Sequence, residues 1–273
     1  MTDFDDFRAA AAAEGFAAET IDAWLELARP YVVLSTDARH GGPVAGRLGG
    51  LPTLTGIGQW PTFGDDRRLL PLSVTVDCAA LPRHGLAADL PASGLLQFFI
   101  EYDDLYGDPD PFGDEARVLH VDDPSAAERK AGPDEVDVYE SRDLYIWTGY
   151  DFPHFSHEEF DVFEEREPRA EALFALATRT LGVLEGGDSI QIGGYPAAAH
   201  GEPTYDLARL TAEETGASDA DLDARYRRDY RFLAQFDLLD DINDAVTARF
   251  LIRHDDLAAA RFDRVASLPE FGE

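Results

Sequence analysis

Gly49-Gly50-Leu51-Pro52 and Gly193-Gly194-Tyr195-Pro196 share one pattern, and Pro196 follows Pro52 by 144 positions. Paired glycines ahead of a proline admit left-handed backbone followed by an extended residue, so each marks a tight turn. Downstream of each turn lies an apolar segment ending in Asp: Leu70 to Asp77 after the first, Tyr230 to Asp237 after the second. Further on, Gln97-Phe98-Phe99-Ile100-Glu101-Tyr102-Asp103-Asp104-Leu105 is echoed by Arg249-Phe250-Leu251-Ile252-Arg253-His254-Asp255-Asp256-Leu257, with the offset grown to 152. Loops tolerate insertions of that size. Neither copy holds enough apolar strand to close a core alone. The two are therefore expected to share one sheet system about an approximate twofold. The expected fold is α+β, internally duplicated, with mostly antiparallel sheets and flanking helices.

Along the chain, residues 1–30 read as a helical segment that Pro30 stops, 31–150 as the first repeat, 151–187 as connecting helices and 188–273 as the second repeat, all in one compact unit. Leu72, Val74 and Val76 alternate with Ser73 and Thr75, which is the period of a strand with one buried face. Gly94-Leu95-Leu96-Gln97-Phe98-Phe99-Ile100 is apolar enough for a strand buried on both faces. Tyr31–Ser35, Arg117–Val121 and Asp143–Trp147 are further strand candidates, and a polar insertion with helical pieces spans Glu202 to Arg228. Ser156 with Glu159 three residues on matches a capping box that would open a helix burying Phe160 and Phe163.

Charge excludes more than it assigns. The 273 residues carry 54 Asp and Glu against 23 Lys and Arg, a net −31, and Lys130 is the only lysine. Such a field repels phosphate backbones, whose binding rests on cationic contacts, and anionic membrane surfaces. Neither nucleic acid nor a membrane is an expected partner; a basic protein is. Dispersed acidity that serves only solubility is the plainer alternative. Cys78 stands alone, ruling out an intramolecular disulfide, and its apolar neighbours point to a buried thiol. The acidic start Met1-Thr2-Asp3-Phe4-Asp5-Asp6 is unlike a secretory signal, and no apolar run approaches the ~18 residues of a membrane span. A cytoplasmic protein is the expectation.

Taken in order, Gly49-Gly50-Leu51-Pro52, Trp60-Pro61, the strand into Asp77, Leu81-Pro82, Gly94 to Phe99 with Asp103-Asp104-Leu105-Tyr106-Gly107, and Gly193-Gly194-Tyr195-Pro196 resemble the YwqG-like family over roughly residues 45 to 268. The resemblance implies a mixed α/β fold and no activity, since the family is one of unknown function. It also implies a Trp-Gly-Asp turn after the final Gln-x-Asp strand. Here Gln235-Phe236-Asp237 runs instead into Leu238-Leu239-Asp240-Asp241.

No catalytic motif stands out. Asp108 and Asp110 have calcium-loop spacing, but Phe112 replaces the third oxygen and Leu119 occupies position twelve. His154 and His157 lie three apart, where a helical zinc pair prefers four, and read as surface residues near a helix start. No metal or cofactor is called for. The residues expected to meet a ligand or partner are Trp60, Asp77, Tyr102, Asp103, Asp104, Tyr106, Tyr195 and Asp237, strand-end carboxylates and aromatics that a twofold would gather into one cleft. Trp147 is expected in the core. A binding protein for a basic partner is the preferred reading. The alternative is a metal-assisted hydrolase whose paired strand-end carboxylates do acid–base work, with simple turn capping as the structural explanation of the same residues.

Overall fold

A computed structural model describes residues 3–54, 60–65, 67–101, 110–126, 128–129, 136, 138–181, 189–196, 202–237 and 246–271. The strands are β1 (Arg29–Ser35), β2 (Val44–Leu48), β3 (Thr53–Leu54), β4 (Thr62–Phe63), β5 (Arg68–Leu69), β6 (Leu72–Asp77), β7 (Leu95–Ile100), β8 (Ala116–Val121), β9 (Glu128–Arg129), β10 (Arg142–Asp151), β11 (Ser189–Gly193), β12 (Tyr230–Asp237), β13 (Val246–Arg253) and β14 (Ala266–Phe271). Ten of them form one antiparallel sheet in the order β14-β13-β12-β11-β1-β10-β2-β6-β7-β8, while β3–β9 and β4–β5 are small separate pairs. The helices are α1 (Asp3–Ala13), α2 (Ala18–Leu25), α3 (Glu158–Glu164), α4 (Ala170–Leu181), α5 (Pro203–Thr215), α6 (Asp219–Asp229) and α7 (His254–Ala258). The α+β expectation holds, with a mostly antiparallel sheet and flanking helices.

From the central β1–β10 pair outward, one side runs β2, β6, β7, β8 and the other β11, β12, β13, β14. The registers on the two sides correspond. Arg47 faces Thr75 and Thr75 faces Gln97; Gln191 faces Gln235 and Gln235 faces Arg249. A bulge interrupts β6 between Leu72 and Val74, and another interrupts β12 between Phe232 and Ala234. The central strands cross over: β1 pairs with β11, and β10 with β2.

Alternation along each strand puts one apolar face inward. Val32, Leu34, Val74, Val76, Leu96 and Phe98 meet Ile190, Ile192, Phe236 and Phe250 in one cluster. The Phe98 ring lies 5.8 Å from Phe236 and 5.1 Å from Phe250, though these strands sit on opposite sides of the sheet. Such contact requires the sheet to curl until it is nearly a barrel. Its edges approach where Ser267 N donates to Pro111 O at 2.9 Å. Removing a buried ring such as Phe98 costs about 3–5 kcal/mol in cores of this kind.

Outside the sheet, α1 to α4 gather around fully buried Trp24, whose ring is stacked on Phe152 at 5.5 Å. Helices α5 and α6 cover Leu251, Ala266 and Leu268 on the outer face of the second side. The outer face also carries two fully buried polar side chains at matching register positions. Gln97 donates to Thr53 O at 2.9 Å and accepts from Thr53 N at 2.7 Å. Arg249 is ion-paired at 2.7 Å to both Asp206 and Glu270.

Four expectations are corrected. Pro30 does not stop the helix, which ends at Leu25; it sits inside β1. Pairing with β11 begins only at Tyr31, so the missing N–H interrupts no ladder on that side. Ser156 forms no capping box, because α3 begins one residue later with His157 at its N-cap. Finally, Asp255 and Asp256 lie in helix α7 rather than a strand-closing turn, and Asp256 is buried against Arg261 at 2.7 Å. Trp147, expected in the core, is half-buried on the sheet, edge-on to Tyr31 at 5.4 Å.

Candidate functional site

The second Gly-Gly-x-Pro turn anchors a buried polar region built from Asp151, His157, Gln191 and Tyr195. Gly193 and Gly194 adopt φ of +69° and +79°, as Gly49 and Gly50 adopt +64° and +84° in the first turn. A β-carbon on Gly194 would lie 2.7 Å from Asp151 Oδ2, so that position needs glycine for space as well as conformation. Asp151 ends β10 and holds the turn. Its Oδ2 accepts from Tyr195 N at 2.7 Å and from Gln191 Nε2 at 3.3 Å, and its Oδ1 accepts from Phe152 N at 2.9 Å. Burial nevertheless pushes the Asp151 carboxyl up to about 6, outweighing those bonds and nearby Arg29.

The turn delivers Tyr195 into a ring of polar groups. Its hydroxyl donates to Leu27 O at 2.8 Å, the Arg29 guanidinium lies 3.8 Å above its ring, and His157 meets it edge-on at 5.0 Å. Burial raises the phenol pKa. His157 was expected on the surface but is fully buried, because it bridges the N-terminus of α3 to the turn. Its Nε2–H donates to Pro196 O at 3.0 Å and its Nδ1 accepts from His154 N at 3.2 Å. Both ring nitrogens are thus occupied in one neutral tautomer, and burial holds its pKa below the ordinary value. His154, 4.2 Å away and perpendicular, is pushed down to about 4 by burial and by His157. Asp151 accepts three hydrogen bonds that brace the turn, and both ring nitrogens of His157 are engaged. Among the described residues no group of three or more His, Cys, Asp or Glu could hold a metal ion.

Beside this anchor opens a cleft of about 470 Å³, lined by Arg29, Glu158, Glu159, Glu202, Thr204 and Arg227 over an apolar floor that includes Tyr230 and Phe232. Acidic residues collect here because α3 and α5 both start at it, and helix N-termini favour negative charge. Arg29 is ion-paired with Glu159. Arg227 reaches Glu158 at 3.0 Å and Asp223 at 2.8 Å. Glu202 is different: it occupies the N-cap of α5 without capping it. Burial first, and then Glu159, raise its carboxyl to about 7 despite Arg227 and Arg29. Thr204 Oγ1 and Asp223 Oδ1 are buried without a hydrogen-bond partner. Asp223 Oδ1, beside the cleft, is an open acceptor, and the Thr204 hydroxyl can accept or donate.

Of the sequence-expected residues that are described, Tyr195 alone lies beside this cleft, buried under Arg29 and next to Pro196, which lines it. Trp60 is buried among Leu54, Phe63, Leu70 and Phe99, with Nε1–H donating to Leu70 O at 2.8 Å. Asp77 Oδ1 accepts from Ala79 N at 2.9 Å and caps a 3-10 turn. Asp237 is exposed and accepts from Thr247 Oγ1 at 2.6 Å. Tyr102, Asp103, Asp104 and Tyr106 lie outside the described residues, as does the Leu238–Asp244 departure. Arg29, Asp151, Glu202 and Arg227 were not singled out in the sequence, and His157 was read there as a surface residue. One local signal was available: Glu202-Pro203 places a poor capping residue just before a helix-starting proline.

The fold and cleft define an antiparallel α+β protein with a helix-framed polar groove. Residues 46–268 match the family model described as "Domain of unknown function (DUF1963)", and the chain belongs to that family. No curated protein matches the chain. Among the described residues no helix is long and apolar enough to cross a membrane.

Proposed function

We propose that the chain is a YwqG-like binding protein whose cleft receives a cationic group, the guanidinium or ammonium of a basic protein partner. The observation that carries this is the surplus of acceptors. Among the described residues, Glu158, Glu159, Glu202 and Asp223 face Arg29 and Arg227 alone, Asp223 Oδ1 has no donor, and the Thr204 hydroxyl has no partner. A cationic donor entering beside Glu202 meets that deficit and gains from the overall negative field, which speeds association. The same reading takes the fold as an internal duplication with a pseudo-twofold through the central β1–β10 pair. Offsets of 144 for β2 and β11 and 160 for β6 and β12 carry one set of cross-strand partners onto the other, bulge included. The cleft would then be the elaborated copy of a shared turn, differing because α5 and α6 follow it.

Titration with arginine amide, followed by NMR shifts or calorimetry, tests the site. Affinity should strengthen as pH rises through about 7, weaken steeply with added salt, and fall roughly tenfold in Glu202→Gln, the loss of one charge-assisted bond. Equal binding by wild type and Glu202→Gln, or insensitivity to salt, rejects the assignment.

A further inference from the structure

A second cavity, of about 520 Å³, opens where the curled sheet brings its two edges together. Arg117 projects into it from β8 on one edge, and Arg253, Arg264 and Val265 from the other, with Phe112 and Tyr230 as aromatic walls. Its charge runs against that of the molecule. Elsewhere the described arginines repeatedly find carboxylates: Arg8 with Asp22, Arg47 with Asp143, Arg179 with Glu14, Arg231 with Asp89. In a chain with 54 acidic and 23 basic residues, a partner is seldom far away. Yet among the described residues Arg117, Arg253 and Arg264 make no ion pair. Arg117 uses Nη1 on the carbonyls of Gly113 and Ala116. Arg253 makes only a distant contact, 5.8 Å, with the Tyr230 ring.

Two aspartates share the wall. Asp256 is already neutralised by Arg261 at 2.7 Å, which leaves Asp263 against three guanidinium groups. Phe112 is 46% exposed, an apolar ledge beside unpaired cations. Three arginines converging from two edges offer the planar, multidentate donors that oxyanions take best. The ledge would cover an apolar body attached to the anion.

We propose that this seam cavity is a binding site for a small organic oxyanion with an apolar portion, a phosphate monoester or an aromatic dicarboxylate, held by Arg117, Arg253 and Arg264. Apart from Tyr230, which borders both cavities, the site is independent of the cationic-group cleft.

Phenyl phosphate and phthalate are the probes, titrated by calorimetry at fixed ionic strength set with sodium chloride, because screening alone would stabilise so acidic a chain. Wild type should bind at least one of them with a Kd of about 0.1–1 mM, and the tighter of the two identifies the anion class. Arg253→Gln with Arg264→Gln should weaken binding at least tenfold. Since neither side chain makes an ion pair among the described residues, circular dichroism and Tm without ligand should be unchanged. Should the double variant not fold, Arg264→Gln alone, at an exposed position, should weaken binding about threefold or more. Absence of binding to both probes, or equal binding by wild type and variant, overturns the assignment.

Discussion

Glu202→Gln should make the protein more stable at alkaline pH while weakening its affinity for a cation about tenfold. Burial raises the Glu202 carboxyl from 4.5 to about 7. The folded state therefore holds a proton that the unfolded state has already lost, and the group stabilises the fold fully only below about 4.5. As pH rises through 7 the folded chain must ionise a half-buried carboxyl, and that stability disappears. The whole shift corresponds to about 3 kcal/mol at 1.36 kcal/mol per unit. Of that, about 2 kcal/mol falls between pH 5.5 and 8.5, and partial solvent access reduces it to about 1 kcal/mol.

Glutamine keeps the shape and cannot ionise. Relative to wild type, Glu202→Gln should therefore gain about 1 kcal/mol at pH 8.5 over its standing at pH 5.5, about 2–4 °C in Tm for a domain near this size. Urea melts at the two pH values measure this directly, and both lie above the sequence pI of 4.3, where solubility would interfere. The decisive quantity is the difference between the two variants at each pH, which cancels every other titrating group. A difference that does not change with pH, or a variant that loses ground at pH 8.5, would refute the reasoning.

Two further outcomes follow from buried groups. Arg249→Met strands Asp206 and Glu270, each 2.7 Å from the guanidinium, and should destabilise the fold by about 3–5 kcal/mol in urea melts; the simultaneous change of all three to apolar residues should recover much of that loss. Cys78 has no exposed surface, and its thiol is pushed up to about 11, first by burial and then by Asp77. A thiol reagent at pH 8 should label native protein at least 100-fold more slowly than urea-unfolded protein, and comparable rates would contradict the assigned burial.

Much of the framework was written locally. Tyr230 to Asp237 reads as a strand because its own pattern is sufficient, and β12 has those limits. The two Gly-Gly pairs announce left-handed turns, which all four glycines adopt. What the chain could not disclose was pairing between distant strands. Nothing in Tyr31–Ser35 states that it will lie between β10 and β11, and without that placement the contents of the cleft cannot be assembled. The expected site therefore followed strand ends, where Asp77 and Asp237 prove to be engaged by Ala79 and Thr247. His157 misled for a related reason: Ser156-His157-Glu158-Glu159 has the composition of a solvated helix start, and only the carbonyl of Pro196, 39 residues on, makes burial of the ring affordable.

The cleft itself is made of ordinary parts. Glu158 and Glu159 in the first turn of α3, and Glu202 ahead of Pro203 at the start of α5, are each what a helix N-terminus favours when alone. Placed at one groove they become too many: arginines answer Glu158, Glu159 and Asp223, while Glu202 is left to hold its proton near neutrality. The excess arises from the meeting of the helices and from neither helix separately. A solvated surface would have dispersed these charges at no cost, whereas burying Glu202 among them, beside a turn braced by Asp151, His157 and Tyr195, lowers stability as pH rises through 7. That loss is the physical reason to expect a ligand, for a cation bound at Glu202 is what would restore it.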